Sequence, residues 1–454
     1  MTIETINPWT GQIDYRYALI DDSTVEQKLA HAKRASGTWQ RLGLAERGQL
    51  LRATAMELRA RQHAIAASMS AEMGKLTREA LAEIEKSAAA CEYYADHAAG
   101  YLADQSIATE ASKSYVRYAP LGCVFAVMPW NFPIWQVFRF LAPSLMAGNV
   151  ALLKHAINVP RSADAIAEVL RAAGVPDGVF TVLHIDNAQA ARVIADPRVH
   201  AVTLTGSDRA GRSIAATAGQ HLKKCVMELG GSDAFIVLPD ADMERTVATA
   251  VTSRFGNAGQ TCIAAKRFIV DDNVAEEFVA RFVAAAAKLQ VGDPLAADTT
   301  LAPMARANLR DELHRQVQTS IAAGARCLLG AEPGSNSTTV YPASILDAVV
   351  PGMPAYSEEL FGPVASILRV SGDAEAVRIA NDTNFGLGAS VWTEDRARGE
   401  AIARQLQVGA TFVNAQVRSD VRLPFGGTKS SGYGRELAEH GIREFMNIQS
   451  VYVS

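Results

Sequence analysis

Cysteine is scarce in this chain of 454 residues. The five present (Cys91, Cys123, Cys225, Cys262 and Cys327) are odd in number and have no metal-ligand spacing. A disulfide framework is not expected, and a reducing, cytoplasmic compartment is. Nine histidines are scattered, so no metal site is expected. An excess of one charge is also lacking: 44 Lys and Arg stand against 48 Asp and Glu, a net charge of −4. Basic runs do not exceed pairs such as Lys223-Lys224, which argues against a nucleic-acid partner. Long apolar runs are missing too. Val124 to Met128 and Val150 to Leu153 are far too short to span a bilayer, and Met1 to Pro8 carry no basic leader, so neither a membrane partner nor a secretory signal is expected. No repeat of fixed period and no low-complexity segment interrupts the chain.

Hydrophobic residues make up 49% and charged residues 20%, enough to build large cores, and the length suits two or three lobes. The first hundred residues read as helical. Val25, Leu29 and Ala32 recur at helical spacing after the candidate N-caps Ser23 and Thr24, and a further helix passes through Glu83, Lys86, Tyr93 and Tyr94. Ser114 to Tyr118 alternates like a strand exposed on one face. From Val124 onward, apolar runs (Val124 to Met128, Val150 to Leu153, Phe180 to Leu183, Ala201 to Leu204) alternate with amphipathic stretches, the pattern of a buried parallel sheet. A second α/β series follows, with strands expected at Ala234 to Leu238, Cys327 to Leu329, Val364 to Val370 and Ala410 to Val413. Helices are expected near 241–255 and 274–289. Val451-Tyr452-Val453 reads as a last strand. Two α/β lobes with an outlying strand element are expected.

Ligands gather at the carboxyl ends of parallel strands. Three such ends carry suggestive residues: Met128 to Pro133, where two prolines fix an Asn; Leu153-Lys154-His155; and Leu204 to Gly211, where a strand turns through Gly206 and Ser207 into a helix N-terminus. Glu228 stands in a glycine-flanked loop, and Cys262 follows Gly259-Gln260-Thr261. Each alone is better read as a turn, a solvated strand end, a surface carboxylate or a buried small hydrophobe.

Together they are more informative. Pro129-Trp130-Asn131-Phe132-Pro133, Glu228-Leu229-Gly230-Gly231, Gly259-Gln260-Thr261-Cys262, Glu359-Leu360-Phe361-Gly362-Pro363-Val364 and Pro424-Phe425-Gly426-Gly427 resemble, in content and order, the signatures of the aldehyde dehydrogenase superfamily. The likeness covers essentially the whole chain. Trp135 to Arg139, Leu153 to Ala156, Ala264 to Phe268 and Arg418-Ser419-Asp420 resemble the short bacterial and cyanobacterial members that act on succinate semialdehyde.

The resemblance implies a Rossmann-type NAD(P)-binding domain (1–105 and 119–230), an α/β catalytic domain (231–423), and oligomerisation strands with a tail (106–118 and 424–454). It implies NAD(P)-dependent oxidation of succinate semialdehyde to succinate, through a cysteine thiohemiacetal and thioester, by a homodimer or homotetramer. Cys262 would be the nucleophile and Glu228 the general base, while Asn131 and the Cys262 backbone N–H would hold the oxyanion. Trp130, Lys154, Ile157, Gly206, Ser207, Glu359 and Phe361 would bind cofactor. Ile157 neither accepts from a ribose hydroxyl nor donates to a 2′-phosphate, so the choice between NAD and NADP stays open. Arg139, Trp135, Arg418 and Ser419 would bind substrate, Arg139 gripping a distal carboxylate. Some relatives have a second substrate Arg where Gly256 stands, Arg254 being the nearest candidate here. Others form a disulfide switch with a Cys where Ala264 stands. Broader aldehyde specificity, covering glutarate semialdehyde and aliphatic or aromatic aldehydes, is the alternative enzyme reading. A non-catalytic protein on the same fold is the alternative outside enzymes.

Overall fold

The computed structural model of the chain describes residues 2–334 and 339–454. Among them, the apolar runs from Val124 onward build a six-stranded sheet. Its order is Gly432–Tyr433, Lys224–Glu228, Ala201–Thr205, Cys123–Met128, Val150–His155, Phe180–Val182. All pairings are parallel except that of Gly432–Tyr433. Helices Trp135–Ala147, Pro160–Ala172, Asn187–Ala195 and Asp208–Gln220 alternate with the parallel strands. The chain winds outward in both directions from Cys123–Met128. A crevice therefore opens where the order reverses, between the carboxyl ends of Cys123–Met128 and Ala201–Thr205. Every residue of Val150–His155 and of Ala201–Thr205 is buried, as a sheet covered on both faces requires.

The second sheet has seven strands, ordered Arg326–Leu329, Ser344–Asp347, Val364–Val370, Ala265–Asp271, Asp233–Val237, Gly388–Trp392, Ala410–Val413. It is parallel except at Arg326–Leu329, which runs antiparallel to its neighbour. Helices expected near 241–255 and 274–289 are found at Met243–Phe255 and Asp272–Ala286. A third sheet, ordered Met446–Val453, Lys113–Pro120, Gln105–Ser106, is antiparallel. Its long strands pair from Met446 with Pro120 to Val453 with Lys113. The last strand is thus longer than the three residues its sequence suggests.

Two local features differ from the sequence reading. The first helix, Asp22–Trp39, is capped by Asp21, whose side chain accepts from the Thr24 N–H at 2.8 Å, rather than by Ser23 or Thr24. Before it lies a hairpin, Thr2–Ile6 with Ile13–Ala18, where helix was expected. Its turn is fixed by the Asn7 side chain, which accepts from the N–H groups of Trp9 (2.9 Å) and Thr10 (3.1 Å).

Helix Trp135–Ala147 is buried over its entire length. It packs between the first sheet, the 25-residue helix Thr77–Tyr101 and the short helix Ala438–Glu444. A helix buried on every face is a core element, and its first turn begins right after the Pro129–Pro133 motif.

Candidate active site

Two cavities flank the nucleophile loop. The larger, about 390 Å³, lies at the crevice of the first sheet and is lined by Trp130, Asn131, Gly206, Ser207, Cys262, Glu359 and Phe361, among others. The second, about 320 Å³, is mostly apolar and is lined by Phe132, Trp135, Thr261, Ile263, Val417 and Ser419, with the cations Lys86 and Arg418 and the acids Glu79 and Glu83. Cys262 borders the first cavity while its neighbours Thr261 and Ile263 border the second, so the thiol sits at the partition.

The loop that carries Cys262 is held by buried cations. Asn257 and Ala258 adopt left-handed backbone (φ 53 and 52), and Gly259 follows at φ 69. A Cβ on Gly259 would collide with the Gly362 carbonyl, so only glycine fits. Arg254 is fully buried. Its guanidinium donates to the carbonyls of Gly259 (2.7 Å), Gly362 (2.6 Å) and Ala265 (3.1 Å), tying this loop to the Glu359–Gly362 loop. It is therefore not a substrate cation. Lys266 donates to the carbonyls of Cys262 (2.8 Å) and Thr261 (3.0 Å), and its Nζ is 3.5 Å from Glu359. Gly231 lets the Cys262 carbonyl approach: a Cβ there would stand 2.8 Å from that oxygen.

The Asn131 turn is supported from below. Lys75 forms a buried ion pair with Glu83 and donates to the Asn131 backbone carbonyl at 2.8 Å. The other Glu83 oxygen accepts from the N–H groups of Ile134 (2.8 Å) and Trp135 (2.9 Å), two orphan donors at the start of the buried helix. The Asn131 side-chain amide donates to the Gln260 carbonyl at 3.0 Å, which uses one of its two N–H bonds and leaves the other for a ligand.

Burial pushes the Cys262 thiol up to about 11, against the opposing pull of Arg139 and Lys266. Glu228 ends strand Lys224–Glu228 with its carboxyl buried, raised well above the usual carboxylate range by burial, with Arg139 opposing. It lies against Gly426 and beside Glu436, outside the lining of both cavities, and its Oε1 has no hydrogen-bond partner among the described residues.

The cofactor residues implied by the resemblance are mostly brought together. Trp130 and Phe361 meet edge to face at 5.9 Å. Glu359 accepts from the Gly231 N–H at 3.0 Å, and burial raises its pKa. Ser207 caps helix Asp208–Gln220 by accepting from the Ala210 N–H at 3.3 Å, leaving its own hydroxyl proton to donate beside a helix N-terminus. Lys154 is buried at the end of its strand, and desolvation lowers its pKa. A carboxylate, a hydroxyl and a helix N-terminus around one crevice match the ribose hydroxyls and pyrophosphate of a dinucleotide, while Lys154 lies outside the lining of that cavity. Ile157 instead borders a neighbouring cavity with Asn158 and Arg306, and Arg306 also reaches the main one.

Substrate residues fare unevenly. Trp135 and Ser419 line the second cavity, and the Trp135 indole donates to Ser419 Oγ at 3.2 Å. Arg418 stands exposed at its rim. The expectation for Arg139 is corrected. It is 2% exposed, ion-paired with the 3% exposed Glu436, and donates to Thr205 Oγ1 at 3.1 Å, with its guanidinium over the Phe425 ring. It lines neither cavity, because the helix turns that side chain toward the Ala438–Glu444 side of the fold. Lys86, read in sequence only as part of a helix, is the cation that enters the second cavity. Its Nζ donates to Ser419 Oγ at 2.7 Å and lies 4.3 Å from the Trp135 ring centroid.

Comparison with known proteins agrees with this arrangement. The aldehyde dehydrogenase family model matches residues 1–451. A probable succinate-semialdehyde dehydrogenase [NADP(+)] of Synechocystis sp. is 48% identical over 454 residues, covering 100% of both chains. The succinate semialdehyde dehydrogenase [NAD(P)+] of Escherichia coli K12 is 47% identical, covering 99% of this chain and 97% of its own. The crystal structure of succinic semialdehyde dehydrogenase from Streptococcus pyogenes, in complex with NADP+ as the cofactor, superposes with a TM-score of 0.97 at 37% identity, covering 99% of each chain.

Proposed function

The chain belongs to the aldehyde dehydrogenase family, and from that premise we propose that it oxidises succinate semialdehyde to succinate with NAD(P). The observation that carries this reading is the position of Cys262 at the partition between a dinucleotide-shaped crevice and an apolar cavity that ends in polar donors. We assign residues 1–105 and 119–230 to cofactor binding, 231–423 to the nucleophile's domain, and 106–118 with 424–454 to oligomerisation. The enzyme works in the cytoplasm as a homodimer or homotetramer.

Cys262 is the nucleophile: once deprotonated, its sulfur attacks the aldehyde carbon. The second N–H of the Asn131 amide and the Cys262 backbone N–H hold the oxygen of the resulting thiohemiacetal, where negative charge develops. Trp130, Lys154, Gly206, Ser207, Glu359 and Phe361 would hold and orient NAD(P), which would supply the hydride acceptor. The thioester left on Cys262 is then hydrolysed. Glu228 swings from beneath Gly426 to take a proton from the attacking water, and its raised pKa makes it a stronger base than an exposed carboxylate. Trp135, Ser419 and Arg418 receive the rest of the aldehyde.

The apolar walls formed by Phe132, Trp135, Ile263 and Val417 favour a second reading, an aldehyde dehydrogenase of broader range. Steady-state reduction of NAD and NADP with succinate semialdehyde, glutarate semialdehyde, butanal and benzaldehyde separates the two. A kcat/KM highest for succinate semialdehyde supports the first, and equal values across the panel overturn it.

A further inference from the structure

We propose that Lys86, on helix Thr77–Tyr101, is the cation that binds the distal carboxylate of the aldehyde, with the Ser419 hydroxyl donating beside it. This assignment rests on the succinate semialdehyde reading above. Lys86 is half-buried in the cavity that also exposes Thr261, Ile263 and Ala264 around the nucleophile, so one continuous space connects its ammonium with the Cys262 loop. Of its three N–H bonds, one goes to Ser419 Oγ. That oxygen accepts from Lys86 and from the Trp135 indole together. Both of its lone pairs are then used, and its own hydroxyl hydrogen is left to donate. Two donors of a carboxylate clamp thus stand side by side.

The ammonium lacks an anion. Glu83, one turn away on the same helix, gives one oxygen to Lys75 and the other to the Ile134 and Trp135 N–H groups. Asp420 is taken by Arg422, which reaches it with Nε at 2.8 Å and Nη2 at 2.7 Å. Among the described residues no carboxylate lies within ion-pair distance of Lys86. Burial, with Arg139 adding to it, lowers the Lys86 pKa to about 8. Glu79 also lines the cavity but forms no ion pair with Lys86, so the ammonium has only a neutral hydroxyl and a ring as partners, and an incoming carboxylate offsets the cost of burying it. Arg139 has no such vacancy, since Glu436 already occupies it.

The test compares wild type, Lys86→Met and Lys86→Arg with succinate semialdehyde and with butanal, the uncharged aldehyde of equal chain length. For Lys86→Met, KM for succinate semialdehyde rises roughly ten- to a hundredfold, the loss expected for one charge-assisted contact. KM for butanal shifts far less, and Lys86→Arg recovers part of the loss. Equal losses for both aldehydes would make Lys86 structural and overturn the assignment. A wild type selective for succinate semialdehyde whose Lys86→Met variant keeps that selectivity would also overturn it, leaving the proposed function intact. A wild type that does not prefer succinate semialdehyde to butanal would overturn both.

Discussion

Replacing Arg139 by Met, which keeps an unbranched apolar stem but removes the guanidinium, probes what holds the floor of the site. The guanidinium is 2% exposed and its partner Glu436 3%. The substitution would strand Glu436 without a counter-charge in a place water barely reaches, and it would remove a donor from Thr205 Oγ1. Breaking a buried pair from one side costs about 3–5 kcal/mol, less whatever Glu436 recovers by taking up a proton. A loss of that size lowers the melting temperature by on the order of 10 °C. A second effect reaches Glu228. Arg139 is the chief influence opposing the rise in its pKa, so removing the guanidinium raises that pKa further. Glu228 acts as base only when ionised, and activity climbs with pH as it ionises, so the acid limb of the pH–rate profile moves to higher pH. Thermal melts and pH profiles with succinate semialdehyde and butanal should show lower stability, a shifted limb and similar losses for the two aldehydes. Unchanged melting with a loss confined to succinate semialdehyde would refute this account and put Arg139 at the substrate carboxylate.

Glu228→Gln should release one burst of reduced cofactor and then stall, because thioester formation survives and hydrolysis does not; quench-flow that finds normal steady turnover removes Glu228 from the mechanism. Asp233, buried beside Gly388, has its pKa raised from 3.8 to about 7 by desolvation. The folded state therefore binds the extra proton between those values, so this contribution to stability is full below about pH 4 and lost as pH approaches 7. Denaturant melts across that window should fall for wild type and flatten for Asp233→Asn, and a wild-type curve that rises with pH would contradict the assignment. Met446–Val453 is an edge strand exposing Ile448, Tyr452 and Val453. Light scattering at micromolar concentration should give a dimer or tetramer, and a stable monomer would count against pairing through that edge.

Much of the site is legible in the sequence where chemistry is local. Gly259 before Cys262 and Gly231 after Glu228 mark places where backbone must pass close to backbone, Gly230 makes room for the Glu359 carboxyl, and two prolines mark the rigid Asn131 turn. The alternation of apolar runs and helices gives both parallel sheets for the same reason, since the central runs are buried on both faces, whereas the edge runs Cys327 to Leu329 and Ala410 to Val413 are not. What stays hidden depends on long-range packing. The spacing of Arg139 from Pro133 does not reveal which way its helix faces; Glu436, far along the chain, decides that. Lys86 reads as a solvated lysine on a long helix until the loop carrying Ser419 folds over it. Lys266 carries one usable signal, a cation within an apolar strand pattern, which burial obliges to find partners. The N-terminal hairpin is hard to see in the sequence although Ile13, Tyr15 and Tyr17 alternate, because the helical period that follows dominates the first hundred residues.

The central claim is covalent oxidation of succinate semialdehyde at Cys262. It is tested most directly by following cofactor reduction and succinate formation together in wild type and Cys262→Ala, with cofactor binding measured on both. Wild type should yield one reduced cofactor per succinate, and the Ala variant should bind cofactor yet form neither product. Continued turnover by the Ala variant, or no oxidation of succinate semialdehyde by wild type with either NAD or NADP, would contradict it.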